Sequence, residues 1–161
     1  MRILMLGNEL LRQKAQAVKH IGPEYLAVAE KLISAMHDEN GIGLAGPQVG
    51  LMERIFAVHI EGDIPRIFIN PSIIETSEET EKCEEGCLSV PGAYADVLRP
   101  QAVKVQAWNE KGRPFTLDAD GLMARVILHE YDHLEGVLFI DRLSEEKRNR
   151  ILAKIEKAKA K

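Results

Sequence analysis

Apolar positions along the chain change their spacing twice, from helical to strand-like and back, and each change marks a different kind of element. In "GPEYLAVAEKLISAMHDENG" (22–41) Tyr25, Leu26, Ala29, Leu32, Ile33 and Met36 recur every three to four residues, the spacing of one buried helical face. Pro23 suits the first turn and Gly41 offers a terminator. The middle of the chain switches to short, β-branched or alternating runs, "RIFAVHI" (54–60), "RIFINPSII" (66–74), "AVKVQAW" (102–108) and "RPFTLDA" (113–119), bounded by Gly, Pro or charged turns. No helix of adequate length separates these runs, so antiparallel or mixed sheets are favoured over βαβ units. Helical spacing returns from Asp120 to Glu135, with Gly136 as the stop. A charged helix then runs from Ser144, its cap, to the end. The predicted class is α+β: sheets packed around a central helix, with one helix N-terminal and one C-terminal. Without repeat or linker, residues 1–161 are expected to form one domain, 144–161 being a basic terminal helix.

Composition narrows the function. The net charge of −4 argues against nucleic-acid binding through bulk electrostatics, and no sequence-specific nucleic-acid partner is expected. Residues 145–161 hold seven Lys/Arg and three Glu, a net of +4 against −8 elsewhere. This is the pattern of a solvated amphipathic helix or of a surface for an acidic partner. The start has too short an apolar run for a signal peptide, and no stretch reaches the ~20 apolar residues that span a bilayer. The two cysteines, Cys83 and Cys87, are too few for a disulfide framework. A cytoplasmic protein without membrane contact is expected.

Candidate chemistry is concentrated in "LHEYDHLEG" (128–136). At ~100° per residue His129, His133 and Glu130 project to one side of a helix, with Leu122 and Val126 on the same stripe. Two neutral imidazoles there suit a divalent metal, and Glu130 is near enough to act on bound water. A bare H-E-x-x-H also arises by chance, so the third ligand decides the chemistry. Metzincin peptidases place a histidine three residues past the glycine, where this chain has Phe139. Thermolysin-like peptidases use a downstream glutamate, for which the candidate is Glu156 among the tail lysines. Upstream, "EEGCLSVPG" (84–92) presents Cys87 between an acidic segment and a proline turn. A Cys-His-His set leaves a fourth position open, as catalysis requires. Cys83 is read as a small packing residue or one partly exposed on the acidic turn, in preference to half of a structural zinc pair. The loop "GIGLAGPQVG" (41–50) has free backbone groups, and Gln48 is its one side chain able both to donate and to accept.

These stretches, in this order, resemble the peptide deformylases. The family's G-x-G-x-A-A-x-Q, E-G-C-x-S and H-E-x-x-H motifs match Gly41–Gln48, Glu85–Ser89 and His129–His133. "ADGLMARVILHEYDHLEGVLFIDRL" (119–143) is similar as well. Gly46 stands where the family has a second alanine, and is a candidate for loosening the Gln48 loop; Leu128 replaces a frequent glutamine. The resemblance implies one divalent metal on Cys87, His129 and His133, with Fe²⁺ expected and Zn²⁺, Ni²⁺ or Co²⁺ able to substitute. It implies Glu130 as the proton-transfer group, and the Gln48 amide with the Leu88 backbone N–H as oxyanion donors. Gly43 and Gly86 would offer backbone to an extended peptide, while Ile42, Leu88 and Val126 would line a methionine pocket. N-formylmethionyl nascent peptides are the implied substrates, and the ribosome is the implied partner of the basic C-terminal helix.

Overall fold

A computed structural model describes residues 1–160; Lys161, the last residue of the anticipated terminal helix, lies outside the described residues. Among the described residues the α-helices are α1 (Glu24–Asp38), α2 (Gly121–Leu134) and α3 (Glu145–Lys159). The strands are β1 (Gly43–Ala45), β2 (Ile55–Val58), β3 (Arg66–Thr76), β4 (Thr80–Cys87), β5 (Val90–Pro100), β6 (Ala102–Trp108) and β7 (Pro114–Asp120). A five-stranded sheet has the order β1-β2-β3-β6-β7, and β4 with β5 forms a separate hairpin. Every one of these pairings is antiparallel. The α+β expectation holds, with the helices at the anticipated ends.

Period-two alternation sorts the sheet's side chains between its faces. Ile55, Ala57, Ile67 and Ile69 join Leu32 and Met36 of α1 in one core. Phe56, Val58, Phe68 and Val105 join Ala124, Ile127 and Leu134 of α2 in another. There Phe56 stacks on Phe68 with ring centroids 4.8 Å apart. β2 is buried on both faces, which is why it reads as a continuous apolar run. A third cluster packs Val90, Ala93 and Val97 of β5 on Leu138, Phe139 and Ile140, with Ile151 and Ile155 of α3 against it. Thus α2 lies between the sheet and the hairpin, the central position expected of it.

Several local expectations need correction. Leu26, assigned to the α1 core face, is exposed, and Ala35 is buried instead. Helix α1 ends through Asn40, which takes the left-handed conformation (φ 56°). Gly41 has no positive φ and is small for another reason: an added Cβ would stand 2.9 Å from Leu88 Cδ1. Gly136 does terminate α2 in the left-handed region (φ 73°), and the Ser144 Oγ caps α3 by accepting from the Lys147 N–H at 3.3 Å. Cys87 closes strand β4, and Pro91, read as part of a turn, lies within β5. Much of β4 was invisible to periodicity because Thr80–Glu84 are exposed on both faces.

Candidate active site

Helix α2, the turn after β1 and the end of β4 bring the chemistry together. Helical spacing places His129 and His133 one turn apart, with ring centroids separated by 5.2 Å. The β4 strand delivers Cys87 from the opposite side, with its Sγ 3.3 Å from His133 Nε2. Ligand atoms of Cys87, His129 and His133 all lie within 4.8 Å of one another. One sulfur and two imidazole nitrogens form a donor set that suits a divalent transition metal and leaves room for a further ligand. Among the described residues this is the only such group, and Glu156 on α3 is exposed. A thermolysin-like third ligand is therefore excluded.

The electrostatics also fit a cation. Burial disfavours charge on His129, yet hydrogen bonds with Cys87 and Glu85 and the charge of Glu130 raise its pKa to about 10. The surroundings draw positive charge, which a divalent cation brings. Burial holds His133 well below its ordinary range, with the His129 charge adding to the effect, so its imidazole is neutral, as a metal ligand must be. Glu85 Oε1 accepts from His129 Nδ1 at 2.9 Å, fixing the ring and leaving Nε2 as its ligating nitrogen.

Glu130 is buried against β1, and its carboxyl Oε1 has no hydrogen-bond partner. Burial pushes its pKa up to about 7, against the pull of the His129 charge. An orphaned buried acceptor costs about 1–3 kcal/mol, a penalty that is relieved when a donor arrives. A carboxyl poised near neutrality is also matched to proton transfer. Gly43 makes this approach possible: an added Cβ would overlap Glu130 Oε2 and stand 2.8 Å from Val126 Cγ1.

Gln48 sits in a 3-10 turn, Gly46–Val49. Its Oε1 accepts from the Ala45 N–H at 3.0 Å, and its Nε2 donates to Ser89 Oγ at 3.1 Å and lies 3.6 Å from Cys87 Sγ. Gly46 is closely packed in this turn. Its carbonyl accepts from Leu51 N–H at 2.9 Å, and a Cβ there would stand 2.6 Å from Leu51 O.

These groups open onto a cleft of about 550 Å³. Ile42, Gly43, Gln48, Gly86, Cys87 and Leu88 line it from the β side, and Val126, His129 and Glu130 from α2. His133 lies beneath them, buried. Leu122, expected to help bury the site, is 53% exposed at the cleft rim. Cys83 is exposed on β4, away from the cleft lining.

Sequence reasoning assigned no role to the charged groups behind the ligands. Besides His129, Glu85 accepts from Arg99 Nε at 2.6 Å and from Arg125 Nη1 at 2.6 Å. Arg99 Nη1 donates to Asp132 Oδ2 at 3.0 Å, and Asp132 also accepts from Arg142 Nε at 2.7 Å. Burial opposes ionisation of Glu85, but hydrogen bonds from His129 and Arg99 overcome it and hold the carboxyl down at about 2. The available signal was Arg125, the one charge in the apolar run Leu122–Leu128 just before His129, since a buried charge demands a partner.

The geometry agrees with comparisons to known proteins. A family model described as polypeptide deformylase matches residues 1–149. A peptide deformylase of Clostridium botulinum is 48% identical over 136 residues, covering 84% of this chain and 91% of the relative. One from Borreliella burgdorferi is 45% identical over 154 residues, covering 94% and 93%. The crystal structure of a Synechococcus elongatus peptide deformylase in complex with actinonin superposes with a TM-score of 0.91 at 44% identity, covering 96% of this chain and 85% of that one. On these matches the chain belongs to the peptide deformylase family, enzymes that remove the formyl group from an N-terminal methionine.

Proposed function

We propose that this chain hydrolyses N-formylmethionyl nascent peptides to formate and a free N-terminus, with Cys87, His129 and His133 holding one divalent metal. The observation that carries this reading is an unpartnered Glu130 carboxyl oxygen at the base of a cleft beside one thiol and two imidazoles. When bound there, the metal supplies Lewis acidity that polarises oxygen and acidifies water. Glu130 accepts the proton of the attacking water as its oxygen bonds to the formyl carbon, then gives that proton to the amine nitrogen as the C–N bond breaks. The Gln48 amide and the Leu88 backbone N–H donate to the carbonyl oxygen while it carries negative charge. A thiolate beside nitrogen donors suits Fe²⁺, the metal expected in the cell, as well as Zn²⁺, Ni²⁺ or Co²⁺.

Strand β1 is an edge of its sheet, so an extended peptide can add beside Gly43, with Gly86 opposite. Ile42, Leu88 and Val126 would receive the methionine side chain. Residues 1–161 act as one catalytic domain on this reading, with 144–161 as a basic terminal helix that docks on the ribosome. The reaction belongs in the cytoplasm, where formylated chains emerge; among the described residues no helix is long and apolar enough to cross a membrane.

The test is formate release from formyl-Met-Ala-Ser by protein purified without oxygen, with metal assayed on the same sample. Glu130→Gln should retain metal and lose turnover by about 10²–10⁴-fold. Unchanged turnover in that variant refutes the mechanism.

A further inference from the structure

Next to the cleft is a second apolar hollow of about 540 Å³. Leu6, Val90 and Ala93 form one side; Ile151, Ile155 and Ala158 of α3 form the other, with Lys154 and Lys159 among its lining. The N-terminal segment is fastened to this floor by the Leu6 N–H, which donates to the Ser89 carbonyl at 2.8 Å. Met5, Pro91, Gly92 and Tyr94 line both hollows, so the groove continues from the cleft. Two of these shared residues are large, apolar and open, Met5 at 47% and Tyr94 at 66% exposure. The Tyr94 ring lies over Gly86, where an added Cβ would stand 2.6 Å from its Cε1.

We propose that this groove receives the residues of the formylated chain that follow those held in the cleft, with a preference for apolar side chains and an acidic residue near the lysines. The proposal rests on the substrate reading above. That substrate is one end of a long polymer, so every chain whose first residues fill the cleft must leave it along the protein surface. The hairpin supplying Gly86 to the cleft also supplies Val90–Tyr94 to the groove, and Gly86 pairs directly with Tyr94, so a chain aligned on Gly86 meets the groove one strand across. Apolar surface left open at such a lip favours a ligand that covers it. A second copy of the protein fits less well, because a two-fold contact would set Lys154 and Lys159 against the same lysines.

The test compares formyl-Met-Ala-Ser with two longer peptides, extended by Leu-Val-Glu-Leu or by Gly-Ser-Gly-Ser, on the metal-loaded full chain. The apolar extension should raise kcat/KM about tenfold, mainly through KM, and the Gly-Ser extension should leave it unchanged. Ala158→Phe, which fills the groove from an exposed helix position, and Ile155→Asn should abolish the gain without altering tripeptide turnover. A photoreactive residue at the fifth position should cross-link to residues 151–159 or to residues 5–6 and 90–94. Failure to hydrolyse the tripeptide overturns the substrate reading itself. Tripeptide turnover with no gain from the apolar extension, a gain that survives Ala158→Phe, or cross-links elsewhere overturns the groove alone. Sedimentation as a dimer that Ala158→Phe dissociates assigns the groove to a second copy and overturns the proposal.

Discussion

Glu85→Ala is expected to damage stability and metal retention together, because one carboxylate joins the ligand set to the buried charges behind it. In the parent it accepts from His129 Nδ1 at 2.9 Å, Arg99 Nε at 2.6 Å, Arg99 Nη2 at 3.0 Å and Arg125 Nη1 at 2.6 Å. Truncation strands two buried guanidinium groups. Arg99 keeps Asp132, and Arg125 keeps the Val97 and Glu81 carbonyls, so the loss is partial. Removing one partner of a buried ion pair costs about 3–5 kcal/mol, and at about 2–4 °C per kcal/mol for a chain of this size Tm should fall by roughly 6–20 °C. The released His129 ring should weaken metal affinity by about 10–100-fold. Glu85→Gln, which keeps an acceptor for His129, should lose stability but less metal affinity than alanine. The assay is thermal unfolding of the metal-loaded and metal-stripped proteins, with affinity from chelator competition. In the parent, Glu85 has its pKa depressed to about 2, so its contribution is complete above the unfolded value of about 4.5. It is lost as pH falls towards 2, and Glu85→Gln should flatten that limb. A Tm within about 2 °C of the parent, with unchanged metal affinity in Glu85→Ala, refutes the reasoning.

Gly43→Ala should lower kcat by roughly 5–150-fold, because the added methyl collides with the Glu130 carboxylate and Val126 and the overpacking of about 1–3 kcal/mol falls on the acid/base. Steady-state kinetics beside a melting curve separates a displaced acid/base from a global fold defect. Tyr25 donates to Glu53 Oε2 at 2.6 Å, and burial, aided by Glu53, pushes its pKa up to about 12. Its contribution to stability is full below about pH 10 and lost as pH rises through 12, so urea titrations should show that alkaline loss diminished in Tyr25→Phe. Chelation should abolish turnover and lower Tm, and added divalent metal should restore both, since a ligand of the folded state alone stabilises it by mass action; a metal-stripped protein with full turnover would contradict the assigned ligands.

What the sequence determined by itself was local. His129, Glu130 and His133 share one face because 3.6 residues make a turn, and nothing distant is needed to put them there. The same locality made β6 and β7 legible through alternation along the strand, and β2 and the start of β3 through short apolar runs. Tertiary structure decided the rest. The β4–β5 hairpin escaped detection because Thr80–Glu84 are exposed and carry no alternation; pairing with β5, from Thr80↔Pro100 to Cys87↔Val90, supplies the order. Whether an apolar residue in a helix is covered also depends on what packs opposite, so Leu26 and Leu122 are exposed although their spacing matches buried neighbours. Cys87 meets His133 across 46 residues of chain, and Arg99 meets Asp132 across 33. No periodicity encodes such pairs. The ordering of those distant groups is made favourable by the cores that pack the hairpin, α2 and the sheet together, and a buried charge becomes tolerable only once its partners arrive with them.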